Sequence, residues 1–116
     1  MIVMRDLGEI GATVIEPGPQ LKLDNAQDFL KAVRTIPAVI SPCVIVNMEK
    51  TSFVDSSGIG ALVNALKHVR GLNGQFVLAG LRPEILRSFH LMNLHQVFDI
   101  YESEELARQQ LKERTP

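Results

Sequence analysis

Two short runs, CVIVNM from Cys43 to Met48 and QFVLAG from Gln75 to Gly80, most narrow what this chain can become. Both are almost wholly apolar and carry β-branched residues, without the polar alternation of a strand that has one wet face. They read as strands covered on both sides, so helices must flank them. The intervening segments have that character. Ile59, Leu62, Val63 and Leu66 share one helical face, Val69 extends it, and Gly71 and Gly74 are expected to stop it. Before the first run, Ala26, Phe29, Leu30 and Val33 repeat at i, i+3, i+4, i+7. Asn25 is expected to cap that helix, with Asp28 as a weak form of the capping box, and Pro37 to end it. After the second run, Pro83 opens a third helix with Ile85, Leu86 and Phe89 facing inward. Val97 to Tyr101 forms a last strand. Ser103 caps a last helix, with Glu104 and Glu105 at its positive end and Arg108, Lys112 and Arg114 towards its negative end. At the front, Ala12 to Glu16 is a strand expected to pair with Ile2 to Met4 through a turn near Gly8 and Gly11, and EPGPQ breaks the chain after it. The order is ββαβαβαβα. This predicts an α/β fold with a mixed, largely parallel sheet and helices packed on it, in which functional groups gather at the carboxyl ends of strands.

The 116 residues suit one domain, 1–116, with a polar tail from about 112 expected to fray. A net charge of −1 gives no argument for direct nucleic-acid binding or a membrane surface. No apolar run approaches the ~20 residues that span a bilayer, and the N-terminal segment lacks the form of a signal peptide. Cys43 is the only cysteine, so no internal disulfide exists; a buried thiol and a cytoplasmic protein are the expectations. His68, His90 and His95 lack metal-pair spacing, so no metal site and no cofactor are expected. His68 and His95 are expected to be solvated and His90 partly packed.

Just beyond the more hydrophobic strand comes FVDSSGIGALVNALK, which crowds Asp55, Ser56 and Ser57 before Gly58 and Gly60. Three readings compete. One hydroxyl caps the helix, worth about 1 kcal/mol, while Asp55 favours the positive end of the dipole. Alternatively, a serine acts as nucleophile, but the glycine spacing fits neither a serine elbow nor a phosphate or dinucleotide loop, and no base is identifiable. In the third reading the serine is reversibly modified, adding −1.5 to −2 charges at neutral pH.

The stretch FVDSSGIGALVNALK resembles the signature of STAS domains, in particular bacterial anti-sigma factor antagonists. VIVNMEKTSFVDSSG and LNGQFVLAGLRPEILRSFHLMNLHQVFDIYESEELA are similar to the family's other segments, so that the resemblance covers nearly the whole chain. It implies a single STAS domain without catalytic activity, acting as an anti-sigma factor antagonist. It also implies phosphorylation of Ser56 by the partner, an anti-sigma factor with serine-kinase activity, and restoration by a PP2C-type phosphatase. A scaffold subunit of a sensory or lipid-transport complex is the alternative. Under this resemblance Asp55 shapes the acceptor turn and contacts the partner. Ser57 is the expected cap and the fallback acceptor, Gly58 and Gly60 allow close approach of the partner or the sheet, and Asn64, Lys67 and His68 form a rim. Three positions depart from the family pattern. PQLK places Pro19 where glycine is usual and Lys22 where an acid is usual, so Lys22 is expected to pair with Asp55 or attract a phosphate. Asp24 is the nearby acid. Asn47 stands where aspartate is common.

Overall fold

The computed structural model describes residues 2–8, 11–37 and 41–114. The main sheet joins β1 (Val3–Leu7), β2 (Ala12–Glu16), β4 (Cys43–Asn47), β6 (Gln75–Ala79) and β7 (Asp99–Tyr101) in the order β1-β2-β4-β6-β7. β1 pairs antiparallel with β2, from Val3 opposite Glu16 to Leu7 opposite Ala12; the other pairs are parallel. The connection through residues 9 and 10 lies outside the described residues. A smaller parallel ladder joins β3 (Gln20–Leu21) to β5 (Phe53–Val54). The helices are α1 (Ala26–Arg34), α2 (Ser56–Gly71), α3 (Pro83–Leu91) and α4 (Glu104–Arg114), with a 3-10 turn at Leu94–Gln96. Without the two short strands, the order is the expected ββαβαβαβα.

The central strands are continuously apolar because both faces are covered. Val44, Val46, Phe76 and Leu78 face one core, with Phe29, Leu30 and Val33 of α1, Leu62, Ala65 and Leu66 of α2, and Ile85 and Phe89 of α3. Ile45, Val77 and Ala79 face the other, beneath Ala107 and Leu111 of α4. Phe98 lies 6.4 Å from Phe76 and 6.1 Å from Phe89, ring centre to ring centre. Cys43 is half-buried, and desolvation pushes its thiol pKa up.

Several local expectations change. The Asn25 side chain does not cap α1. It accepts from the Lys22 amide at 2.9 Å and donates to the Gln20 carbonyl at 2.8 Å, so it ties the approach to the helix instead. On α2 the buried ridge runs Gly58, Ala61, Leu62, Ala65, Leu66, Val69, with Ile59 and Val63 half-exposed on its flank. The helix includes Gly71. Asn73 takes the left-handed conformation (φ 59°), and the Gly74 amide closes back on the Val69 carbonyl at 2.9 Å. Leu86 is only half-buried, and the last strand starts at Asp99 rather than Val97. Ser103 does cap α4, accepting from the Leu106 amide at 3.2 Å. α4 continues to Arg114, and residues 115–116 lie outside the described ones. The expected placement of the Lys112 and Arg114 side chains also lies outside what is described. His90 is exposed while His95 is half-buried, the reverse of expectation, because the two rings stack at 4.2 Å and His90 takes the outer place. His68 is half-buried.

Candidate functional site

The corner before α2 is built by two segments laced together. Buried Thr51 donates its hydroxyl to the Gly18 carbonyl at 2.7 Å, and the Ser52 amide donates to Pro19 at 2.8 Å. The ladder of β3 and β5 follows, with Leu21 opposite Val54. The Asp55 amide then donates to the Leu21 carbonyl at 3.2 Å. This lacing holds Asp55 in extended backbone (φ −96°, ψ −176°), the geometry of a helix N-cap. One carboxylate oxygen accepts from the Gly58 amide at 2.9 Å and the other from the Leu23 amide at 3.1 Å. The Gly58 amide is the main reason the Asp55 carboxyl sits below its ordinary range; the Leu23 and Ser57 amides and the Lys22 charge add to this against some desolvation.

Asp55 is therefore the cap, not Ser57. A carboxylate two bonds out from an extended residue reaches the third amide of the helix, and both serines fall inside the first turn. Ser56 is the first helical residue and is exposed; Ser57 is half-buried. Neither hydroxyl is used in capping, and among the described residues neither makes a hydrogen bond. Gly58 is buried, and a Cβ there would overlap the Leu21 carbonyl. It thus serves the approach of the chain's own short strand, not of a partner. At Gly60 a Cβ would meet nothing within 4 Å. Ser56, Gly60, Asn64 and Lys67 follow one another along the outer face of α2, where Asn64 and Lys67 are exposed.

Lys22 does not bridge to Asp55. Its ammonium lies 3.8 Å from Asp24, whose side chain is 78% exposed. Two residues that the sequence did not single out also frame the corner: Leu23, 73% exposed, and Phe53, 47% exposed. In sequence they look like ordinary core candidates. Asn47 lies at the carboxyl end of β4 on the α4 side. It donates to Glu104 at 2.9 Å and accepts from the Glu49 amide at 2.9 Å. An aspartate there would set a second carboxylate against Glu104.

The chemistry of this corner is limited. Asp55 is an acceptor committed to two amides and holds its proton weakly, which makes it a poor general base. His68 lies three turns along α2 from Ser56, about 18 Å by helical rise. No group of three or more metal-ligating side chains occurs among the described residues, and no described helix is long and apolar enough to cross a membrane. What the corner offers is an uncommitted hydroxyl on a rigid, exposed turn.

The family model for the STAS domain matches residues 3–107. A STAS-domain containing protein of Pseudomonas aeruginosa is 31% identical over 74 residues, covering 64% of this chain and 72% of that protein. The anti-sigma-B factor antagonist of Listeria monocytogenes is 31% identical over 55 residues, about half of each chain (47% and 48%). Among solved structures, the Bacillus cell fate determinant SpoIIAA in its phosphorylated form superposes with a TM-score of 0.73 at 19% identity, covering 96% of this chain and 99% of that one.

Proposed function

Because this chain belongs to the STAS domain family, and because its acceptor-like turn stands on an exposed corner, we propose that it is an anti-sigma factor antagonist controlled by phosphorylation of Ser56. In this reading the unmodified protein binds an anti-sigma factor that is itself a serine kinase, across Ser56, Gly60 and Asn64 with Lys22 and Asp55 at the edge. The bound anti-sigma factor no longer holds its sigma factor. The kinase moves the γ-phosphoryl group of ATP to Ser56: the new bond joins the serine oxygen to phosphorus, the β–γ bridge breaks to give ADP, and the hydroxyl proton passes to a base of the partner. A PP2C-type phosphatase returns the serine by hydrolysis. The protein is regulatory rather than catalytic and works in the cytoplasm.

One observation carries this reading. The cap is complete without Ser56, so the hydroxyl can be modified without dismantling the helix start. Inside the domain a phosphate near the first turn gains roughly 0.3–1 kcal/mol from the helix dipole. Across an interface, opposed like charges cost several kcal/mol, and each 1.4 kcal/mol is tenfold in affinity. The interface effect wins, so binding switches while the fold stays. The relative named an anti-sigma-B factor antagonist and the phosphorylated structural neighbour support the same assignment.

Mass spectrometry after incubation with ATP and a candidate anti-sigma kinase tests it. The expected result is one phosphate on Ser56, none in Ser56→Ala, and loss of the complex on modification. Ser56→Ala should bind continuously and Ser56→Asp should bind at least tenfold more weakly, both with native melting behaviour. Stable binding with no modification would overturn the switch and favour a scaffold subunit in a sensory or lipid-transport complex.

A further inference from the structure

Lys22 is fixed at the point where the two segments shaping the acceptor corner meet. Its neighbours on both sides are bonded to Asp55: the Leu21 carbonyl accepts from the Asp55 amide at 3.2 Å, and the Leu23 amide donates to the carboxylate at 3.1 Å. Its own backbone is held too. The Lys22 amide donates to Asn25 Oδ1 at 2.9 Å, and its carbonyl accepts from the Ala26 amide at 2.8 Å. The root of this side chain is therefore pinned beside the residue that precedes Ser56. Its ammonium, by contrast, is loosely held. The contact with Asp24 is 3.8 Å long and both side chains are substantially exposed, 37% and 78%, so the pair contributes little.

We propose that Lys22 is an intramolecular clamp for a phosphate on Ser56. The proposal rests on the reading of Ser56 as the acceptor. A phosphoserine near neutral pH carries about −1.5 to −2 charges against one on Asp24, so the flexible ammonium exchanges Asp24 for the phosphate. Phosphorylation then alters the surface twice: it adds an anion, and it withdraws the Lys22 cation from the face that a partner touches. Lys22 already contributes to holding the Asp55 carboxyl low, which places its charge within electrostatic reach of this corner.

The test uses the full chain with phosphoserine encoded at position 56, so that no kinase is required. Phosphorus NMR follows the second ionisation of the phosphate in the native background, in Lys22→Gln and in Lys22→Arg. An adjacent cation favours the dianion. At low ionic strength the native and Lys22→Arg proteins should titrate about half a unit lower than Lys22→Gln, and the gap should close near 1 M salt. Agreement of arginine with lysine, but not with glutamine, assigns the effect to charge and not to a disturbed loop. If all three titrate together at low salt, Lys22 is no clamp. The two readings fail separately: a kinase assay without modification removes the switch whatever the titration gives, and coincident titrations remove the clamp even where the kinase works.

Discussion

The Asp55 carboxylate joins two stretches that are far apart in sequence, since one oxygen takes the Gly58 amide at the start of α2 and the other takes the Leu23 amide beyond β3. Both bonds are stronger to the charged form, and the carboxyl accordingly sits below its ordinary range. A group whose folded pKa is depressed stabilises the protein above its unfolded pKa, about 3.9, and loses that contribution as pH falls through the lower folded value. Asp55→Asn should thus melt below the native protein at pH 7, and the difference should shrink as pH is lowered from about 4. Thermal unfolding followed by circular dichroism across pH 2.5–7 checks this (a window set by the carboxylate range); a difference that stays constant with pH would show that the charge is irrelevant to the cap. The sequence suggests a serine hydroxyl, Ser57, as the cap, with Asp55 only favouring the positive end of the dipole. Nothing local separates the two, because the choice is made by the extended backbone that the distant Leu21 carbonyl imposes on Asp55.

At the scale of elements, what was legible followed the length of each signal. β4 and β6 declared themselves because runs of four or five apolar residues with helices on both sides leave a pattern, and α1 and α3 did so through their spacing. β3 and β5 are two residues each, flanked by Pro19 and by polar residues, and two residues carry no period. Yet this ladder is what seats the corner of Asp55 and Ser56. It also explains why the glycines of α2 are not equivalent. A Cβ at Gly58 would overlap the Leu21 carbonyl, which is backbone and cannot swing away, whereas Gly60 faces open space. Gly58→Ala should destabilise the fold by about 1–3 kcal/mol, in the range of overpacked cores. Gly60→Ala should be neutral or stabilise by up to about 1 kcal/mol, since alanine is the better helix former. Paired urea denaturation curves decide the matter. Equal effects at both positions would mean that β3 does not press on the helix as described.

In the whole molecule, the sheet separates two sets of polar contacts with different duties. On the α4 side, Arg5 of β1 donates to Glu104 at 2.6 Å and to Glu16 at 3.2 Å, and Asn47 completes the group, so an edge strand, a central strand and the last helix are tied together. The Arg5 bonds are the chief cause of the low Glu104 pKa. The α2 side carries the proposed acceptor corner, framed by Leu23 and Phe53. A side chain as exposed as Leu23 contributes little to the fold, but covering it with a partner removes most of a leucine from water, worth about 1.5–3 kcal/mol when burial is complete. Leu23→Ser should therefore melt within about 2 °C of the native protein, as surface changes usually stay within 0.5 kcal/mol. Its affinity for the proposed anti-sigma partner should fall tenfold or more, which corresponds to about 1.4 kcal/mol of lost contact. Glu104→Gln should behave in the opposite way. Losing one charge from the Arg5 group lowers stability by about 1–2 kcal/mol, because hydrogen bonds to charged groups are the stronger ones. The proposed partner face lies across the sheet, so affinity should stay native. Calorimetric titration of each variant with the kinase, set beside its melting curve, distinguishes the two sides. If Glu104→Gln weakened binding as much as Leu23→Ser, the partner would have to embrace the α4 side, and the assignment of the α2 face as the docking surface would be wrong.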